Sequence, residues 1–170
     1  IQKIKEMLDS GIMGDLQYIY SNRLNLGAVR TEENVFWSLA PHDISIFQHL
    51  TETKPLKITS TGGAFLQDGI HDTTLTVLEY EANIKGHIYV SWLHPFKEHR
   101  LVVIGSEAMI TFEDSVQRKP LLKLYSKKFN LMNGIPEKID GPVKEIEYEK
   151  ACPNWNVFLR VNGIHRLGRN

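Results

Sequence analysis

Five segments rich in β-branched and aromatic residues follow one another between residues 56 and 129. The first reads "LKITSTGGAFL" and the last "LLKLYSKKF", and turn-forming stretches such as "EANIKG" and "GSE" separate them at hairpin spacing. Connections this short join antiparallel neighbours, because a parallel pair needs a crossover of about a dozen residues or more. A further segment of this type, "LQYIYSNRLNL", spans Leu16 to Leu26. The chain is therefore predicted to form an open, mostly antiparallel sheet of about five to seven strands.

A short helix is predicted before the first strand. Apolar residues recur at helical spacing from Ile1 to Leu8, and Gly11 stands where a helix C-terminal cap is expected. With one more helix near residue 41, the fold class is α+β, with a few helices packed on one face of the sheet. The polar segment 130–150 is predicted to follow the sheet edge as a loop and a short strand.

Composition excludes several classes of function. The chain carries 20 Lys and Arg against 20 Asp and Glu, so no net field attracts nucleic acid or an anionic membrane. Its single cysteine, Cys152, excludes an internal disulfide framework and suits a reducing compartment. No apolar run approaches the ~20 residues of a membrane span, and the first residues lack a signal-peptide core. We therefore expect a soluble, cytoplasmic protein.

The second predicted helix contains an unusual stretch, "NVFWSLAPHDISIF", in which two ionisable residues stand between apolar runs. Pro41 suits a first helical turn, which places His42 and Asp43 at the start of a helix. Asp43 would then stabilise the positive end of the helix dipole, and His42 would be a partly buried imidazole with a satisfied hydrogen bond. The alternative is that His42 is a proton acceptor held at the face of the sheet. A Ser-His-Asp triad is not expected, because adjacent side chains at a helix start point apart.

Neither a nucleotide site nor a metal site is predicted. The close glycines in "GGAFLQDG" lack both the spacing of a dinucleotide-binding turn and a following helix. Histidine and aspartate residues are scattered over the predicted strands without the spacing of metal ligands. No cofactor-binding residue is therefore assigned to this chain.

Three stretches carry a resemblance to a known family: "YIYSNRLNLG", "NVFWSLAPHDISI" and "VSWLHPFKEHRLVVIG". They resemble the C-terminal domain of the glucose–fructose oxidoreductase / inositol dehydrogenase family, most closely the UDP-N-acetyl-hexosamine and hexosaminuronate 3-dehydrogenases. The likeness extends over residues 1–150. It implies an enzyme of two domains, in which an N-terminal Rossmann domain binds NAD or NADP and an open-faced sheet domain contacts the substrate and often mediates oligomers. This sequence matches only the second domain.

The resemblance also implies a role for His42, which aligns with the family's catalytic histidine. An imidazole suits that role, since its ordinary pKa near 6.5 allows proton acceptance and release at neutral pH. The family's partner lysine lies in a Glu-Lys-Pro motif of the Rossmann domain, which this chain does not contain. Many relatives carry an aspartate four residues before the histidine, where this chain has Ser38, which can still donate a hydrogen bond.

Substrate contacts are expected on the first strand. Arg23 and Asn25 share one strand face by alternation, and the resemblance directs this face towards substrate. A guanidinium suits a pyrophosphate or a uronate carboxylate, and an amide suits a sugar hydroxyl. An ordinary exposed strand face is the alternative. Arg30, in the following loop, is a weaker candidate.

The segment "SWLHPFKE" supplies the remaining candidates. His94 and Lys97 stand where a strand runs into a turn and are the expected contacts, although Lys97 and Glu98 also fit a solvated pair. Trp92 is expected to be a core residue.

The chain is therefore expected to be the substrate-binding half of an NAD(P)-dependent dehydrogenase acting on a sugar nucleotide, joined to its own Rossmann domain and forming a homo-oligomer through the sheet. By itself it is expected neither to bind NAD nor to oxidise a sugar nucleotide. The alternative is a non-catalytic sugar-binding or dimerisation module. An upstream reading frame encoding G-x-G-x-x-G after a strand, and later Glu-Lys-Pro, would favour the dehydrogenase.

The tail from residue 151 departs from the family. Relatives continue with a stretch like Glu-Pro-Leu, two residues, Glu-Cys and His-Phe, whereas this chain reads "CPNWNVFLRVNGIHRLGRN". Codons for residues 154–157, read two bases later, give Leu-Glu followed by Cys or Arg. Residues from about Cys152 onward are therefore expected to be an out-of-frame tail.

Overall fold

A 17-residue helix lies across one face of an eight-stranded sheet in the computed structural model, which describes residues 1–115 and 121–148. The helices are α1 (Gln2–Asp9) and α2 (Val35–Thr51), and a 3-10 turn spans Glu81–Asn83. The strands are β1 (Leu16–Leu24), β2 (Lys57–Gly63), β3 (Thr73–Glu79), β4 (Lys85–Ser91), β5 (Glu98–Gly105), β6 (Met109–Glu113), β7 (Leu121–Tyr125), β8 (Lys128–Met132), β9 (Ile135–Ile139) and β10 (Val143–Glu145). The predicted α+β class is confirmed.

The strands of the sheet follow the order β10-β7-β6-β5-β1-β4-β3-β2. Only β1 and β4 run parallel, and all other neighbours in this sheet are antiparallel, as the short connections predicted. The main sheet has eight strands where five to seven were expected, and β10 at its edge is the short strand predicted in segment 130–150. The same segment contributes to a separate hairpin of β8 and β9, which its polar composition did not indicate.

Alternation along β1 separates the two faces of the sheet. Ile19 and Ser21 are buried on the face covered by α2, and Arg23 continues this row. Tyr18 and Tyr20 point to the opposite face and contact His87 of β4. We call this second surface the open face, since neither helix covers it.

The hydrophobic core lies between α2 and the central strands. Phe47 is fully buried and packs closely on Gly86 of β4, where an added Cβ would come within 3.0 Å of the Phe47 ring and 2.9 Å of the Ile19 carbonyl oxygen. A larger residue than glycine would therefore push the helix away from the sheet. Helix α1 packs beside α2 and buries Ile4 and Met7.

The predicted start of α2 was wrong. The helix begins at Val35, and the Asn34 side chain caps it by accepting a hydrogen bond from the Trp37 backbone N–H at 3.2 Å. Pro41 is the seventh helical residue, so His42 and Asp43 lie in the middle of the helix. Proline cannot donate the hydrogen bond that its position requires, but apolar residues before and after it are buried against the sheet. That burial keeps the helix continuous, and Asp43 cannot interact with the helix N-terminus.

Candidate active site

Asp43 makes an ion pair at the interface between α2 and β1. Its side chain lies on the buried side of α2, and the residue is 1% exposed. The Arg23 Nε donates a hydrogen bond to Asp43 Oδ2. Burial raises the pKa of the Asp43 carboxyl, and the charge and hydrogen bond of Arg23 act against this shift. A buried carboxylate requires such a partner, because an unpaired charge in the interior is strongly unfavourable.

His42 directly precedes Asp43 in the helix but has a different environment. One residue turns an α-helix by about 100°, which carries His42 from the buried side to the exposed flank of α2. Partial loss of hydration at the imidazole lowers its pKa, the Arg23 charge lowers it further, and the Asp43 charge opposes both effects. His42 is therefore neutral at neutral pH and can accept a proton.

The sequence interpretation missed His99, which joins these residues from β5. Register places His99 directly opposite Arg23 across the antiparallel β1–β5 pair, so both side chains lie on the α2 side. Burial lowers the pKa of His99 to about 4, and the Arg23 charge adds to this effect while the Asp114 charge opposes it. We call Arg23, His42, Asp43 and His99 the helix-face cluster.

Ser38 and Lys97 lie close to the helix-face cluster. Ser38 precedes His42 by four residues, and since both are helical they share one flank of α2. Lys97 is exposed directly before β5, and its charge contributes to the lowered pKa of His99. Ser38 and Lys97 therefore both remain candidate substrate-binding residues near the helix-face cluster.

Asn25 lies one residue beyond the end of β1 and does not share a strand face with Arg23. It is exposed, and its backbone N–H donates to the Ser91 carbonyl at 3.0 Å. The expected alternation ended early because β1 stops at Leu24. Arg30 is exposed in the loop and makes an ion pair with Glu33 at 3.4 Å.

His94 lies on the other side of the sheet. Its ring contacts the rings of Tyr89 and Phe96 at centroid distances of 5.6 and 5.5 Å. Tyr89 belongs to the open face, because it pairs with Asn22 in register with the Tyr20–His87 pair. The sheet therefore separates His94 from the helix-face cluster. Trp92 is 3% exposed, which confirms that it is a core residue.

The described residues were predicted to hold neither a metal ion nor a dinucleotide. Over residues 1–115 and 121–148, no group of three or more His, Cys, Asp and Glu side chains could hold a metal ion. The adjacent glycines Gly62 and Gly63 lie within β2 and precede no helix, so they do not form the helix N-terminal site that binds the phosphates of a dinucleotide.

Among the described helices, none is long and apolar enough to cross a bilayer.

Residues 1–111 match the family described as GFO/IDH/MocA C-terminal domain, which is 111 of the 170 residues. The chain belongs to this family, and the resemblance noted in the sequence is confirmed. No curated protein matches the chain.

Solved structures share the fold at low sequence identity. UDP-N-acetylglucosamine 3-dehydrogenase from Acidithiobacillus ferrooxidans is 18% identical with a TM-score of 0.68, over 95% of this chain and 50% of that one. An inositol dehydrogenase homologue from Azotobacter vinelandii, complexed with NADH and myo-inositol, is 16% identical with a TM-score of 0.69, over 86% and 38%. The WlbA dehydrogenase from Bordetella pertussis, in complex with NADH and UDP-GlcNAcA, is 14% identical with a TM-score of 0.57, over 70% and 41%. This chain therefore spans half or less of each of these proteins.

Proposed function

We propose that this chain is the substrate-binding domain of an NAD(P)-dependent oxidoreductase that oxidises a hydroxyl of a sugar, with the 3-hydroxyl of a UDP-N-acetyl-hexosamine or its uronate as the specific target. The observation that carries the proposal is a neutral, exposed His42 beside the buried Arg23–Asp43 pair, in a chain of the GFO/IDH/MocA family. Two solved relatives are named with a sugar nucleotide and a third with the cyclic polyol myo-inositol, which supports a polyhydroxylated ring as substrate.

The reaction needs a base on the protein. Oxidation of an alcohol breaks its O–H bond and the C–H bond on the same carbon, and forms a carbonyl. A Rossmann domain would hold the nicotinamide, which would supply the acceptor for the C–H electron pair as hydride. A ring nitrogen of His42 takes the hydroxyl proton, and the lowered pKa keeps that nitrogen unprotonated at neutral pH.

The neighbours of His42 have separate tasks in this proposal. Asp43 fixes Arg23 through Nε, which leaves the two terminal nitrogens of the guanidinium to meet a phosphate or carboxylate. Ser38 and Lys97 contact the same substrate. NAD or NADP is assigned to the domain's own Rossmann partner, and the position of Gly62 and Gly63 inside β2, with no helix following, supports this assignment.

A second function is favoured by the open face. The Tyr20 and His87 rings stack with their centroids 5.0 Å apart, and the Tyr18 hydroxyl forms a hydrogen bond with His87 Nδ1 at 2.7 Å. On the neighbouring strand β3, Leu75 and Val77 are each more than a third exposed. Such a partly apolar sheet surface suits a second copy of the chain. A homo-oligomer through this face is compatible with the catalytic proposal, whereas a purely structural or sugar-binding module would need no base at His42.

The test is turnover in the protein that joins this domain to its dinucleotide-binding domain. His42→Asn should reduce kcat by roughly a hundred- to ten-thousandfold, the contribution of a positioned acid–base group. The dissociation constant for UDP-N-acetylglucosamine should change much less, because the lost interaction belongs to the transition state. His71→Gln, which changes an exposed histidine in the loop before β3, is the matched control. Near-normal turnover in His42→Asn would contradict the proposal.

A further inference from the structure

His99 occupies a position that none of the roles assigned above explains. It stands directly opposite Arg23, on the helix side of the sheet, and its side chain is 24% exposed. The ring therefore lies next to Arg23 within the helix-face cluster and remains accessible to a ligand.

The backbone holds this residue firmly on both sides. The His99 N–H donates to Ser115 Oγ at 2.9 Å, and the His99 carbonyl accepts from the Asp114 N–H at 2.9 Å. Because His99 also pairs with Arg23 in the sheet ladder, its ring starts from a fixed point relative to the guanidinium. A preorganised group of this kind loses little freedom when it binds a ligand.

The two ring nitrogens have different surroundings. Nδ1 lies 3.7 Å from Asp114 Oδ2, and this carboxylate favours a proton on Nδ1. Within the part of the chain that the structure describes, no hydrogen bond reaches Nε2. Since burial and the Arg23 charge keep the ring neutral, Nε2 then carries a lone pair.

We infer that His99 is a further substrate-binding residue, whose Nε2 accepts a hydrogen bond from a hydroxyl of the sugar that His42 deprotonates. This inference rests on the proposed function, and it adds a contact on β5 to those on β1 and α2. Arg23 and His99 together then offer the substrate one charged donor and one neutral acceptor side by side. A polyhydroxylated ring with a nearby anionic group matches that pair.

The test uses three substitutions that separate the two nitrogens. A glutamine amide places its polar group near the position of Nε2, an asparagine amide places it near Nδ1, and phenylalanine keeps the ring with no polar atom. In the protein that carries both domains, KM for UDP-N-acetylglucosamine should rise about three- to tenfold in His99→Phe and His99→Asn, the range for a lost neutral hydrogen bond. In His99→Gln it should stay within about twofold, and kcat should change less than KM in all three.

Other results would overturn the inference. A normal KM in His99→Asn with a raised KM in His99→Gln would mean that the interaction of Nδ1 with Asp114 is what matters. His99 would then have a structural role and would not bind substrate. Normal KM values in all three variants, with an active wild type, would remove His99 from the site and leave the proposed function intact. Urea unfolding of each variant checks that the fold is retained.

Calorimetric titration with UDP-N-acetylglucosamine covers the case of an inactive wild type. If the wild type binds without turnover, the dissociation constants should follow the same order, and His99 would be supported while the proposed reaction fails. If the wild type neither binds nor reacts, both the inference and the proposed function are wrong.

Discussion

The ion pair between Arg23 and Asp43 gives the sharpest test of the site's architecture. Arg23→Met keeps most of the aliphatic length of the side chain but removes the cation, which leaves the Asp43 carboxyl buried at 1% exposure without its partner. Removing one member of a buried pair typically costs about 3–5 kcal/mol. The folded variant can limit this loss by protonating Asp43, so the cost depends on pH.

The pH dependence can be worked out from the ordinary pKa of the carboxyl, 3.8. Binding a proton to such a group at pH 7 costs about 4 kcal/mol, at roughly 1.4 kcal/mol per pH unit. At pH 5 the same step costs about 1.6 kcal/mol. In this range the folded variant binds a proton that the unfolded chain does not, so its stability rises as pH falls. The loss in Arg23→Met should therefore be about 3–4 kcal/mol at pH 7 and at most about 2 kcal/mol at pH 5.

Urea unfolding at the two pH values measures these differences. Arg100→Met is a matched control in the neighbouring strand, because Arg100 lies on the open face, is 39% exposed and pairs with Glu113 at 3.3 Å. A surface pair of this type contributes about 0–1 kcal/mol, so this variant should change little. A loss below about 1 kcal/mol in Arg23→Met at pH 7, or one that does not shrink at pH 5, would refute a buried, charged Asp43 in the folded protein.

Two further predictions concern α2. Because the pKa of His42 is lowered from 6.5 and the base acts in its neutral form, kcat/KM for alcohol oxidation should fall on the acidic side with a midpoint below pH 6.5; a midpoint above 6.5 in the pH–rate profile would contradict this environment. Pro41→Ala should restore a donor to the Trp37 carbonyl and raise the free energy of unfolding by roughly 1–3 kcal/mol, less than the full interior cost of proline because alanine also gains freedom in the unfolded chain. Urea unfolding that shows a loss instead would mean that the proline ring itself is required by the packing of α2.

The strands could be predicted because their signals are local. β-Branched residues, alternation and tight turns all lie within a few residues of one another, and they identified strands β1 to β7 of the main sheet. The parallel pairing of β1 with β4 could not be predicted in this way, since it joins segments separated by α2, β2 and β3. Its register depends on how α2 packs on both strands.

The start of α2 was missed because two local signals disagreed. Asn34 is a good helix cap, which favours a start at residue 35. Proline is commonest in a first helical turn, and Pro41 therefore favours a start near residue 41. Burial of Val35 and Ala40 in the core decided the outcome, and burial depends on the sheet beneath. The tail from about Cys152, including its suggested change of frame, lies outside the described residues and stays a prediction.

The sequence did point to His42 and Arg23 as members of one site, but not to the reason they meet. Asp43, predicted as a helix-end residue, is the buried partner of Arg23 and holds its charge close enough to lower the pKa of His42. His99 was missed altogether, because its closeness to Arg23 follows from the β1–β5 register and not from any spacing along the chain. The pairing register of two distant strands is known only from the three-dimensional positions of both.

The position of His42 and Asp43 in the middle of α2 explains why two ionisable residues can be adjacent there. In the middle of a helix, consecutive side chains diverge by about 100°, so one residue can be buried in an ion pair while the next remains exposed. Asp43 fixes the Arg23 guanidinium under the helix, and that fixed cation in turn helps to keep the exposed imidazole unprotonated. At the start of a helix Asp43 would have met the helix dipole and solvent, and Arg23 would have had no buried anchor. The mid-helix position of the pair is therefore what couples a structural carboxylate to a neutral imidazole, and it is why replacing Arg23 should affect both stability and the pKa of His42.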